Sequence, residues 1–91
     1  MTLPFDFLLE KVAEIEQLLD TPQPDRLERI CASALQIVLR APSGDISKVA
    51  STVATSARLC LEDPSKAPMY ERPLRGAVRN LRRALEVEAP D

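Results

Sequence analysis

The 91-residue sequence contains no histidine and no tryptophan, and it has few glycines and few aromatic side chains. Histidine is the commonest general base near neutral pH and the commonest metal ligand, so its absence argues against acid–base catalysis and a zinc site. The two glycines, Gly44 and Gly76, cannot form a glycine-rich loop around a nucleotide phosphate. The sequence therefore predicts a non-catalytic protein without a metal or a cofactor.

Long apolar runs are also missing. The longest stretch without a charge, Ile30 to Leu39, is too short for the roughly 20 apolar residues of a membrane helix. Cys31 and Cys60 form no Cys-x-x-Cys pattern, and both fall on apolar helical faces. We expect two inert, unbridged thiols in a reducing compartment. Together these features predict a cytoplasmic protein with no membrane-spanning segment.

Apolar residues recur every three or four positions, and prolines divide this pattern into four segments. We predict an all-α fold, in which a compact antiparallel bundle of four short helices covers about residues 4–19, 24–40, 45–61 and 72–88. The whole chain, 1–91, is predicted to form a single helical domain. The segment 62–72, which contains Pro64 and Pro68, is predicted to be an irregular connection with one turn after a cap at Asp63.

Capping residues mark the starts of two helices. Thr21 is predicted to cap the second helix, with Pro22 and Pro24 in its first turn, where a missing N–H costs little. Ser43 is predicted to cap the third helix after a short link that favours antiparallel neighbours.

The second helix has an apolar face about 200° wide, which is more than one neighbouring helix covers. The flanks of this face are the predicted protein-interaction site, and they consist of Ile30, Leu35, Ile37 and Leu39. Complete burial in the chain's own core is the alternative. A homodimer would cover the surplus apolar surface and enlarge a core poor in aromatic residues.

Charge is unevenly distributed although the net charge is only −2. Residues 1–20 are mainly acidic, and the last predicted helix carries a basic face of Arg72, Arg75, Arg79, Arg82 and Arg83. These arginines could pair with Asp6, Glu10 and Glu14 of the first helix, contact nucleic-acid phosphates, or dock an acidic protein.

The leading functional hypothesis is a small cytoplasmic adaptor or regulatory protein that binds another protein or itself. The alternative is a nucleic-acid-binding regulator that uses the arginine face of the C-terminal helix as its phosphate contact.

Overall fold

A computed structural model describes residues 4–21 and 23–89, which form four α-helices and one 3-10 turn. The helices are α1 (Pro4–Asp20), α2 (Arg26–Arg40), α3 (Gly44–Glu62) and α4 (Ala67–Glu88), and the turn is Pro64–Lys66. No residue in the described ranges lies in a β-strand. The predicted all-α class is therefore confirmed.

Each helix packs against the next one along the chain, and α1 also packs against α4. The neighbours are antiparallel: Arg40 at the end of α2 lies over the Phe7 ring near the start of α1. Likewise, Ser43 just before α3 donates a hydrogen bond to Glu88 at the end of α4. Within the described residues, the backbones of the diagonal pairs α1–α3 and α2–α4 are not in contact. The result is the predicted antiparallel four-helix bundle.

The core runs along the bundle axis and is built from aliphatic side chains of all four helices. Each fully buried leucine, isoleucine or valine stabilises the fold by roughly 1.5–3 kcal/mol relative to an exposed position. The largest fully buried side chains are Leu8, Val12, Ile15, Ile30, Ile37, Ile46, Val53, Leu74, Val78, Leu81 and Leu85. The four helical stripes predicted from the sequence meet in this core.

The two predicted caps have different outcomes. Ser43 is the N-cap of α3, and its hydroxyl accepts a hydrogen bond from the Ile46 amide at 3.3 Å, as predicted. The prediction for Thr21 is wrong, because its hydroxyl donates to the Gln17 carbonyl at the end of α1. Asp25 holds the N-cap position of α2 without a side-chain hydrogen bond. Of the two prolines predicted in the first turn of α2, Pro24 precedes the N-cap and lies before the helix, and Pro22 lies outside the described residues.

The irregular connection predicted at 62–72 is much shorter in the structure. A 3-10 turn follows Asp63, and α4 begins at Ala67 rather than near residue 72. Pro68 is tolerated because it lies in the first turn of α4, where its N–H would have no intrahelical partner. Pro73 lies inside the helix and has no N–H to donate to the carbonyl four residues earlier, yet it does not end the helix.

Candidate functional site

The structure divides the predicted interaction residues of α2 into two pairs. Ile30 and Ile37 are fully buried in the core, so they are not available to a partner. Leu35 is 43% exposed and Leu39 is 84% exposed. At about 100° per residue, the two isoleucines lie within roughly 20° of each other, while the two leucines lie about 140–180° away from Ile30. Of the predicted set, only Leu35 and Leu39, here called the leucine pair, remain candidates for an interaction.

The leucine pair continues the apolar surface of α2 outwards. Cys31 and Val38 are partly buried and pack against the core, between the isoleucines and the leucine pair. Exposed Ala32 and Gln36 lie on the solvent side of the same helix. Side-chain exposure therefore increases around the apolar face of α2, from the core to solvent. The face predicted from the sequence is wide because it includes both buried and exposed residues.

The five predicted arginines of α4 also divide into two groups. Arg75 donates hydrogen bonds to Asp20 at 3.1 Å and to the Leu19 carbonyl at 3.0 Å. Arg82 binds Glu16 through two nitrogens, with Nε at 3.3 Å from one carboxylate oxygen. The hydrogen bond to Asp20 raises the pKa of Arg75, and the hydrogen bond to Glu16 raises the pKa of Arg82. These two arginines therefore hold α4 against α1.

The acidic partners differ from those predicted, which were Asp6, Glu10 and Glu14. The antiparallel register places Arg82 beside Glu16 and Arg75 beside Asp20, so residues nearer the start of α1 face the end of α4. Glu14 pairs instead with Lys11 at 3.5 Å and with Arg29 of α2 at 4.0 Å.

The other three arginines form an exposed row, here called the arginine line: Arg72, Arg79 and Arg83. Their side chains make no hydrogen bond or ion pair with any described residue. On a regular helix they lie within about 40° of one another and span roughly 16 Å along the axis. A shallow open depression on the helix surface is lined by Arg79, Arg82 and Arg83 with Glu86 and Val87.

One ionic cluster was not anticipated from the sequence. Arg26 of α2 donates to the Leu19 carbonyl at 2.9 Å and to Glu71 of α4 at 3.1 Å. Arg75 donates to the same Leu19 carbonyl, and its other guanidinium nitrogen lies within ion-pair distance of Asp20. The Leu19 carbonyl is one of the last four of α1, which have no intrahelical donor. The cluster therefore satisfies the end of α1 and joins three helices.

The two thiols are free and unlike each other. Cys31 is partly buried and Cys60 is buried. Burial raises the pKa of the Cys60 thiol above its ordinary value, and the Glu71 carboxylate adds to the shift. A raised pKa lowers the thiolate fraction at neutral pH, whereas a nucleophilic cysteine needs a lowered one.

Two further properties concern only the described part of the chain. It contains no cluster of cysteine, aspartate and glutamate side chains arranged to hold a metal ion. None of its helices combines the length and the apolar character needed to cross a bilayer.

Comparison with known proteins gives no assignment: no protein-family model, curated protein or solved structure matches this chain.

Proposed function

We propose that this chain is a small non-catalytic adaptor or regulatory module that binds another protein, or a second copy of itself, through the leucine pair of α2. The observation that carries the proposal is the exposure of Leu39 and Leu35 on the outer face of an otherwise well-packed helix. We also propose that the protein acts in the cytoplasm, because two free thiols are typical of a reducing compartment.

Spacing distinguishes the leucine pair from scattered surface leucines, which are common in folded proteins. Residues four apart lie one above the other on a helix, so a partner helix could cover both leucines with one apolar stripe. Full burial of Leu39, which is 84% exposed, would contribute about 1.5–3 kcal/mol before the costs of association, and burial of the 43% exposed Leu35 would contribute about half as much. In a homodimer, the two α2 helices would pair across a two-fold axis.

The first test introduces a photo-crosslinking residue at position 39 of α2. The matched control carries the same residue at position 36, which is also exposed on α2. We expect a discrete protein adduct in cytoplasmic extract, or a dimer of the purified protein, at position 39 but not at position 36. Equal yields of adduct at the two positions would refute the proposed contact.

A second test separates binding from folding. At concentrations where the original chain is monomeric, the double variant Leu35→Gln and Leu39→Gln should keep its unfolding midpoint, because neither side chain is part of the core. The variant should lose the association measured by sedimentation velocity at several concentrations, or lose the crosslinked adduct. The exposed Gln36→Ala variant serves as the control and should retain both.

A further inference from the structure

The arginine line carries positive charge that the bundle does not neutralise. Arg75 and Arg82 are occupied by Asp20 and Glu16, but the arginine line has no carboxylate partner among the described residues. Glu86 lines the same depression as Arg79 and Arg83 without forming an ion pair with either. Three guanidinium groups on one strip of α4 are therefore available to an external anion.

A notch interrupts this strip. Gly76 lies between Arg72 and Arg79 along the helix, about 40° from Arg72 towards α3. A Cβ atom added at Gly76 would meet nothing within 4 Å. Gly76 opens onto a mainly apolar groove between α3 and α4, which Val49, Pro73 and Ala77 line together with polar side chains. An apolar side chain from outside could therefore lie between the arginines.

We propose that α4 docks an acidic segment of a protein partner, with its carboxylates on Arg72, Arg79 and Arg83 and one apolar side chain in the notch at Gly76. This inference rests on the proposed function, since it names a second contact and the chemistry of the partner. The leucine pair lies on α2, diagonally across the bundle from α4, so the two faces can be occupied and tested independently.

Composition favours a protein over a nucleic acid at this face. Binding to single strands usually requires aromatic side chains that stack on bases. Phe5 and Phe7 lie on α1, and Tyr70 projects from α4 about 160° away from Arg72. Arginine forks bind carboxylates through two parallel hydrogen bonds, and this contact needs no aromatic side chain.

The probe is a fluorescein-labelled synthetic peptide with one leucine between glutamates spaced at the intervals of the arginine line. Fluorescence anisotropy at low salt measures its affinity. Arg79→Gln combined with Arg83→Gln should weaken binding about tenfold, because two exposed ion pairs are lost. Arg58→Gln, which removes an exposed arginine of α3, should change the affinity less than twofold.

The notch has its own control. Replacing the peptide's leucine with alanine should weaken binding to the original chain about fivefold, because less apolar surface is buried. Gly76→Gln should abolish this preference for leucine by filling the notch. Gly76→Ala raises helix propensity in the same way but leaves most of the space open, so the preference should persist.

Two results would overturn the inference. One is peptide binding that is absent, or that is insensitive to the arginine line or the notch. The other is tighter binding of a single-stranded oligonucleotide of equal charge that displaces the peptide, since the face would then be a nucleic-acid site. Neither result affects crosslinking at position 39, so a failure here is distinguishable from failure of the proposed function.

Discussion

Ile37 and Leu39 lie two positions apart on α2, yet Ile37 is completely buried and Leu39 is 84% exposed. A rotation of about 200° between them accounts for the difference. The isoleucine points between the neighbouring helices α1 and α3, and the leucine points to solvent. Their side chains have similar hydrophobicity, so the environment alone sets what each contributes to stability.

We expect Ile37→Ala to lower the free energy of unfolding by about 2–5 kcal/mol, because it leaves a cavity in the core. Leu39→Ala, a similar truncation at an exposed position, should change this free energy by no more than about 0.5 kcal/mol. Chemical denaturation of both variants, monitored by circular dichroism, measures the difference. Similar losses at the two positions would contradict the placement of these residues.

The sequence alone could not divide the predicted interaction residues in this way. Ile30, Leu35, Ile37 and Leu39 all fall on or beside one wide apolar face, and a helical wheel does not say which part of that face meets the neighbouring helices. In the bundle, α2 packs against both α1 and α3, so the core lies between these two contacts. The leucine pair lies beyond them.

At the scale of the helix, the start of α3 depends on a single hydroxyl. Ser43 accepts a hydrogen bond from the Ile46 amide and donates one to Glu88, so it both caps α3 and contacts α4. Ser43→Ala should lower the free energy of unfolding by about 1 kcal/mol through loss of the cap. Glu88→Gln removes the charge at the second contact and keeps the cap, so it should cost less. Thermal or urea unfolding compares the two variants. Equal losses of unfolding free energy would show that the cap is not the dominant interaction of Ser43.

The helices themselves were largely predictable, because the three- to four-residue spacing of apolar side chains, the prolines and the Ser43 cap are local signals. The start of α4 was not, because Pro64 and Pro68 predict an irregular connection that extends to about residue 72. Pro68 instead occupies the first turn of the helix, and Pro73 lies inside it, with Leu74, Val78 and Leu81 buried beyond it. Packing of these side chains against the other helices offsets the hydrogen bond that Pro73 cannot make.

The position where α1 ends was predicted to within one residue, but the hydrogen-bond partners of its last carbonyls were not predictable from local signals. Its Leu19 carbonyl is satisfied by Arg26, seven residues later, and by Arg75, which lies 56 residues later in the sequence. Such partners are known only once the order and register of the helices are known. The same limitation explains why the sequence did not identify Glu16 and Asp20, rather than earlier acids of α1, as the partners of α4.

At the scale of the whole molecule, the acidic start and the basic end of the chain lie side by side. The contact between α1 and α4 closes the bundle, and its polar edge contains the ion pairs Arg75–Asp20 and Arg82–Glu16. Oppositely charged residues at this edge favour one antiparallel register, because sliding α4 by a turn would separate both pairs. The arginine line lies outside this contact and takes no part in it.

A double-mutant cycle between Glu16 and Arg82 measures how much this edge stabilises the bundle. Both side chains are partly exposed, so we expect Glu16→Gln and Arg82→Gln to be coupled by about 0.2–1 kcal/mol in urea unfolding at low ionic strength. The coupling should fall in concentrated salt, which screens exposed charges. A matched cycle between Glu10 and Arg82, which are not paired, should give a coupling near zero. If both cycles give no coupling even at low salt, the α1–α4 register is set by the apolar core alone, and the charge asymmetry of the chain has another role.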